Sequence, residues 1–423
     1  MMVVLAGIHG LILFSIAYFV WIKQDAELRI FFWPALLFKL TAGVVVGLMY
    51  LHVYQGGDTF IFFRDAIQLS NLFKRDAIEY FQFLWHGDAS YKVWTSLSEI
   101  QPRSLFFTKI ISVISIVTLD NYWITGFYLS LISFLASWFL VKKIQMLFPH
   151  AKAASALSIL FFPTVVFWSS GMVKESLAVA SLFFLSGLCL TWITRTKVSF
   201  PEWFFLLIGL WMLWTLKYYW AAVFFPAAVS TLVFYRLILP KMNSVRFILQ
   251  CVVWLLLFLT ICSGAMFVHP NFYPEYFLQV IVDNNLALNS LSESSNLIYF
   301  NDLQPTWTNM LRNSPWALFS GLFRPFLFEG GNGIKLLYAL ENTVILTLLL
   351  SSLASIKRFA SSPFRIMTFA IIVYASVLCI FLAISTPNFG TLARYRVGFL
   401  PFLIFVLSYK NPLLEKMWSR KQD

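Results

Sequence analysis

The sequence predicts an all-α polytopic membrane protein with about eleven transmembrane helices. Hydrophobic residues make up 60 % of the 423 residues and charged residues only 12 %, whereas soluble domains carry about 25 % charged residues. The mean hydropathy is +0.77. The apolar residues also gather in runs that approach or reach the length needed to cross a bilayer. These three observations exclude an ordinary soluble domain.

Eleven apolar runs define the predicted helices. The first lacks a basic amino-terminal flank and a small-residue cleavage site, so we expect it to be retained. We predict one membrane domain: 1–30 as an extra amino-terminal helix, 31–238 as a core with an external loop at 54–120, and 239–423 as carboxy-terminal helices with an external loop at 269–334. The runs are 5–22, 31–53, 123–141, 153–169, 173–193, 202–216, 219–238, 247–268, 335–355, 366–385 and 396–409.

The distribution of charge predicts the orientation. The net charge is +12. If the loop at 23–29 is cytoplasmic, the cytoplasmic segments hold seventeen of the 31 lysines and arginines but only five of the nineteen acids, which is the positive-inside pattern. The amino terminus is then outside and the carboxy terminus cytoplasmic. The basic balance is thereby explained by membrane orientation, and we expect no nucleic-acid partner.

The segment 54–120 is the longest polar stretch of the first half and contains seven of the nineteen acids. Residues 59–85 alternate apolar and charged side chains at roughly helical spacing, as an interfacial helix does. Residues 105–119 are short for a span, and counting them as one would invert the charge pattern. We therefore expect juxtamembrane or half-inserted helices in this loop.

Asp58 is the first candidate catalytic residue. It follows Gly56-Gly57 at the exit of a predicted span, where glycines allow a sharp turn that brings the carboxylate back toward the membrane. A solvated loop acid or a helix cap would explain the same residue.

Several further charges are expected at the same membrane face. Lys174 and Glu175 lie between two spans that are joined by almost no loop, where an ionisable group is expensive and functional by default. A lysine that reaches toward the headgroups and pairs with its neighbour is the alternative. Cations that converge near carboxylates suit a phosphate group. The expected set is Glu175 as a catalytic residue and Lys174, Lys217, Arg324, Arg394 and Arg396 as substrate-binding residues.

Other chemistry finds little support. The four cysteines lie in or beside apolar runs without ligand-like spacing. His86 and His269 have no acid or cysteine at metal-ligand spacing. No nucleophile elbow, P-loop or dinucleotide fingerprint is present. We expect no cofactor, although several external carboxylates could hold a divalent cation.

The order of these motifs resembles that of the GT-C glycosyltransferases, with the layout of protein and glycolipid mannosyltransferases. Their first external loop begins with an acid in a context similar to residues 57–62, GDTFIF. A span that ends in Pro163, then Ser169-Ser170-Gly171, then an acid at Glu175 also matches. Leu216-Lys217-Tyr218, and Arg394-Tyr395-Arg396 before Pro401, match later motifs. The resemblance covers residues 31–235 well and the rest loosely.

The resemblance implies transfer of a sugar from a polyprenyl-phosphate-linked donor to a glycan, lipid or protein acceptor at the extracytoplasmic face. Asp58 would deprotonate the acceptor, and Lys217, Arg394 and Arg396 would hold the phosphate. The class points to a bacterial inner membrane. Two alternatives remain open: an O-antigen or exopolysaccharide polymerase or ligase, suggested by residues 323–331 and Glu341, and a flippase for lipid-linked sugars.

Overall fold

The computed structural model describes residues 2–242, 245–273, 276–353 and 364–419. Within these ranges the chain is helical and contains no strand, only an isolated bridge between Leu297 and Asn388. The helices of the amino-terminal part are α1 (Met2–Trp21), α2 (Ala26–His52), α3 (Gly57–Arg75), α4 (Ala77–Trp85), α5 (Pro102–Val117) and α6 (Tyr122–Leu147). The protein is therefore an all-α integral membrane protein.

The remaining helices continue in the same order along the chain. They are α7 (Lys152–Ser155), which runs into a π-helical turn at Ala156–Phe161, α8 (Pro163–Trp168), α9 (Lys174–Ile193), α10 (Phe200–Val233), α11 (Leu239–Met242), α12 (Phe247–Ala265), α13 (Phe277–Leu291), α14 (Trp307–Phe323), α15 (Gly333–Leu353), α16 (Arg365–Ser385), α17 (Phe389–Tyr395), α18 (Leu400–Ser408) and α19 (Pro412–Ser419). Short 3₁₀ turns join several of them.

Eight helices in the described residues are long and apolar enough to cross a membrane, and nine if one bent pair counts as a span. The bent pair joins Phe389–Gly398 to Leu400–Ser408 at 69°. The eight are Val3–Trp21, Ala26–His52, Tyr122–Leu147, Lys174–Ile193, Phe200–Met242, Phe247–Ala265, Gly333–Leu353 and Arg365–Ser385. The eleven-helix count stays a prediction.

Local backbone geometry explains the form of three predicted spans. The run 153–169 is interrupted at Phe162, whose ψ of 119° is extended, because the ring of Pro163 disfavours helical geometry in the residue before it. The runs 202–216 and 219–238 lie in α10, which consists of two helices that meet at a kink at Lys217, where the backbone is non-helical with φ −144° and ψ 61°. Residues 354 and 355 of another predicted span lie outside the described residues.

The chain divides into two compact units. The first comprises 1–142, 165–185 and 200–218. Its polar segment folds as α3, α4 and α5, with a core of Leu69, Leu72, Tyr80, Phe83 and Leu105. Because α5 has only sixteen residues, it falls short of the length that spans a bilayer.

Close backbone packing joins α2 to the break before α9 in the first unit. Gly171 has φ +73°, and a Cβ placed there would stand 2.9 Å from the Gly43 carbonyl oxygen. The Gly171 amide donates to Ser130 Oγ at 2.8 Å. Only glycine combines this conformation with so close an approach. The break therefore fixes where α9, and with it Glu175, begins.

The second unit comprises 143–164, 186–199 and 219–423. Its polar segment between α12 and α15 folds into α13, α14 and short 3₁₀ turns. Asn285 of α13 donates to the Ile384 carbonyl at 2.5 Å, and the Ile298 amide donates to the Pro387 carbonyl at 2.8 Å. These bonds attach the polar segment to the end of α16 and the turn that follows it.

Candidate functional site

Asp58 lies in the first turn of α3 and is exposed. The predicted sharp turn is present, because Gln55, Gly56 and Gly57 have φ of +49°, +119° and +42°. A Cβ on Gly57 would meet the Tyr50 ring at 2.7 Å. Tyr50 therefore packs on the glycine turn and sets the direction in which α3 leaves the end of α2. The Asp58 side chain is exposed at this position.

Phe62 connects Asp58 to Lys174. It follows Asp58 by four residues, so the two share a face of α3. The buried Phe62 ring packs edge-on against Phe107 of α5 at 5.5 Å. The Lys174 ammonium lies over the Phe62 ring, 4.7 Å from its centroid, in the range of a cation–π contact. Lys174 therefore contacts α3 about one helical turn beyond Asp58.

The amino terminus of α5 adds a second cation at the same place. Lys174 Nζ donates to Ser104 Oγ at 3.1 Å, and Ser104 lies in the first turn of α5 beside Arg103. The Arg103 guanidinium stands 5.2 Å from the Tyr218 ring and forms no hydrogen bond or ion pair with any other described residue. A helix amino terminus carries partial positive charge. Two cations there favour the binding of an anion.

Glu175 and Lys217 form a buried ion pair. Lys217 Nζ donates to Glu175 Oε1 at 2.5 Å, and their side chains are 3 % and 0 % exposed, respectively. Lys217 occupies the non-helical position of α10, and its backbone departure from the helix accompanies the contact. A role for Lys217 in phosphate binding stays a prediction. The geometry shows an ion pair that links α9 to α10 within the first unit.

Arg324 belongs to the second unit. Its Nε and Nη2 donate to the two carboxylate oxygens of Glu329 at 2.8 and 2.9 Å. The guanidinium also stands 5.2 Å from the Phe389 ring. Burial alone would raise the pKa of Glu329, but the hydrogen bonds from Arg324 and from the Phe326 amide hold this pKa below its ordinary value.

Arg396 is part of a polar cluster buried inside the second unit. It is 2 % exposed, and its Nη1 donates to Asn342 Oδ1 at 2.7 Å. Its Nε and Nη2 have no hydrogen-bond partner among the described residues. The Glu341 carboxylate interacts electrostatically with Arg396 and accepts from the Thr164 amide at 2.7 Å. Arg394 is buried near the end of α17.

The candidate residues therefore fall into two sets. Asp58, Lys174, Glu175 and Lys217 belong to the first unit, whereas the three arginines belong to the second. No family model, curated protein or solved structure matches this chain. The functional assignment consequently depends on the chemistry of the site itself.

The sequence also allowed a divalent-cation site built from carboxylates. Among the residues that the structure describes, no three His, Cys, Asp or Glu side chains are grouped so that they could hold a metal ion. Several acids of the polar segment 54–120 instead receive hydrogen bonds from the protein. Asp65, for example, accepts from the amides of Ser98 and Glu99 at 2.9–3.0 Å and so fastens the loop before α5 to α3.

Arg103 is the residue that sequence reasoning missed. A signal for it exists in the motif Gln101-Pro102-Arg103-Ser104. Proline is frequent at the first position of a helix, so the motif predicts a helix start at Pro102. A base in the first turn is unfavourable for the helix dipole. The cation–π contact with Tyr218 accompanies the arginine at this position.

Proposed function

We propose that this protein is a membrane glycosyltransferase of the GT-C type that uses a polyprenyl-phosphate-linked sugar as its donor. The observation that carries the proposal is the pair of cations, Arg103 and Lys174, at the amino terminus of α5, where Lys174 also contacts Phe62, one turn beyond Asp58 on α3. An anion-binding group next to an accessible carboxylate is what transfer from a sugar phosphate requires.

Each group has a defined chemical role in the proposed reaction. The Asp58 carboxylate accepts the proton of the acceptor hydroxyl, and the freed oxygen attacks the anomeric carbon of the sugar. The bond between that carbon and the phosphate oxygen breaks, and the electron pair leaves with the lipid phosphate. Arg103 and Lys174 stabilise the charge that develops on this phosphate. Glu175 acts indirectly, because its ion pair with Lys217 holds α9 in place.

The proposal also includes the membrane topology and location predicted from the sequence. These are eleven spans, an extracytoplasmic active face, an outside amino terminus, a cytoplasmic carboxy terminus and a bacterial inner membrane. Asp58 and the polar segment 54–120 lie on the acid-rich side of the charge pattern, which supports an extracytoplasmic site. The role of Arg324, Arg394 and Arg396 in substrate binding stays a prediction.

The test is donor cleavage by purified protein supplied with radiolabelled polyprenyl-phosphate sugars. We expect wild-type protein to release the sugar from one donor and Asp58→Asn to reduce the rate at least about 100-fold, as expected for loss of a general base. Glu99→Gln is the matched control, because Glu99 lies in the same segment and its carboxylate forms no hydrogen bond to described residues.

Arg103→Gln separates donor binding from base catalysis. We expect it to weaken binding of the lipid-phosphate donor, whereas Asp58→Asn leaves donor binding unchanged. Arg75→Gln, on the exposed end of α3, is the control for a lost surface charge. Full transfer activity in a well-folded Asp58→Asn protein would rule out the base assignment.

Two other functions give different results in the same assay. A polysaccharide polymerase or ligase uses the same class of donor, and its products lengthen with time. A flippase binds the lipid-linked sugar and moves it across the bilayer without cleaving it. The polymerase remains the second candidate because Arg396 and Asn342 cluster with Glu341, which is one of the residues that suggested this class.

A further inference from the structure

The polar segment of the second unit contains an open cavity of about 460 Å³. This volume lies within the range of about 300–1,000 Å³ that is typical of small-molecule sites. Aromatic, amide and charged side chains line it together, among them Tyr299, Asn301, Asp302, Asn309, Arg312 and Trp316. None of the residues assigned above to the proposed reaction lines this cavity.

The walls of the cavity are held by hydrogen bonds within the segment. Asn309 Nδ2 donates to the Asp302 carbonyl at 2.8 Å, and Asn313 Nδ2 donates to Asn309 Oδ1 at 2.9 Å. The Gln304 amide donates to Asn309 Oδ1 at 3.2 Å. These bonds fix the amide groups before any ligand arrives, which lowers the entropic cost of binding.

Two lining side chains have capacity left for a ligand. Asn301 and Arg312 are exposed, and neither side chain forms a hydrogen bond or ion pair with any described residue. The asparagine amide both donates and accepts, and the guanidinium carries five N–H donors. The charges of Arg312 and Asp302 offset each other, so the lining carries no net charge.

The aromatic part of the cavity is also oriented. Trp316 Nε1 donates to the Tyr299 carbonyl at 3.0 Å, and the two side chains are 42 % and 57 % exposed. Ligand sites often combine large exposed aromatic side chains with a neighbouring amide such as that of Asn301. The ring supplies apolar contact, and the polar group fixes the orientation of the ligand.

We propose that this cavity binds an uncharged sugar residue of a glycan. A sugar ring offers an apolar face of C–H groups to an aromatic ring and hydroxyl groups around its edge. Each hydroxyl both donates and accepts, which matches asparagine amides and the Asp302 carboxylate. A phosphate only accepts, and it would gain nothing from the amide oxygens and be repelled by Asp302. The binding itself is independent of the proposed function, whereas its assignment to the acceptor glycan rests on that function.

The test is saturation-transfer difference NMR on the full-length protein in detergent, with glucose, galactose, mannose, N-acetylglucosamine and glucose 6-phosphate as probes. We expect saturable binding of at least one neutral sugar. Asn301→Ala and Arg312→Gln should each raise its Kd at least ten-fold, and neither removes an internal contact on which the fold depends. Arg75→Gln should leave the Kd unchanged.

Three results would overturn the inference: no saturable binding of any neutral sugar, an unchanged Kd in both cavity variants, or tighter binding of glucose 6-phosphate that Arg312→Gln abolishes. The proposed function fails separately. If Asp58→Asn keeps full transfer activity while the cavity variants still weaken sugar binding, the glycosyltransferase mechanism is wrong and the sugar site stands. If Asp58→Asn abolishes transfer and no sugar binds the cavity, the reverse holds.

Discussion

Breaking the buried pair between Glu175 and Lys217 should destabilise the protein strongly. At the 2.5 Å separation of the pair, two unit charges attract by about 6–7 kcal/mol at an effective dielectric constant of about 20. Desolvation of the two groups offsets most of this attraction. Glu175→Gln removes the attraction but leaves Lys217, only 3 % exposed, with its desolvation penalty. The expected loss is about 3–5 kcal/mol.

The assay is unfolding of the purified protein by sodium dodecyl sulfate in mixed micelles, followed by tryptophan fluorescence. The expected loss corresponds to an unfolding equilibrium constant raised by roughly 10²–10⁴, since each factor of ten is about 1.4 kcal/mol. Lys217→Met should be similarly harmful, because it leaves the Glu175 carboxylate buried.

The double variant decides the cause of this loss. Glu175→Gln combined with Lys217→Met removes both charges and should recover most of the lost stability, as replacement of whole buried pairs does elsewhere. A Glu175→Gln protein within about 0.5 kcal/mol of wild type would refute the reasoning. So would a double variant whose loss equals the sum of the two single losses, because additivity means that the groups do not interact.

Three further predictions concern other parts of the fold. Gly171→Ala should lower the free energy of unfolding by about 2–4 kcal/mol, because the added methyl group overpacks the site and the backbone is left-handed. Gly126→Ala is the control, since the nearest atom to its Cβ would be 3.9 Å away, and it should not lower the free energy of unfolding. Equal effects of the two variants would contradict the close packing at Gly171. The pKa of Glu329 is lowered in the folded state. Wild-type protein should therefore be more stable than Glu329→Gln above the ordinary pKa of 4.5, and this advantage should be lost as the pH falls below that value. Unfolding midpoints of both proteins between about pH 3 and 7 measure the difference. Lys39→Met should raise stability, because among the described residues the buried Lys39 of α2 has only Ser169 as a hydrogen-bond partner. A destabilised variant would show that the lysine has a further stabilising contact.

The helical fold follows from the sequence because lipid-length apolar runs leave few alternatives to a helix. The apolar runs alone do not show where a helix is interrupted. Residues 202–216 and 219–238 are two apolar runs separated by a lysine, and the structure has a kink between two helices at Lys217, where Glu175 is the partner of the lysine. Conversely, residues 153–169 read as one span, although Pro163 already marked the position where the helix breaks.

The candidate site was predictable in its composition and less so in its pairing. Asp58 after two glycines, and charged residues at the start of α9, are local patterns that a sequence shows directly. The partner of Glu175 is 42 residues away along the chain, so the contact depends on how α9 and α10 pack. Arg103 was missed because its contact, Tyr218, comes from a distant segment of the chain.

The two compact units have a consequence for synthesis of the protein. A ribosome that has released residues 1–142 has delivered most of the first unit, but the segments 165–185 and 200–218 that complete it are still missing. Residues 143–164 emerge early and wait for partners within 219–423. The half-finished chain therefore holds polar groups such as Thr164 whose partner, Glu341, has not yet been made. Insertion factors or chaperones that shield such groups should matter more for this protein than for one whose units are contiguous.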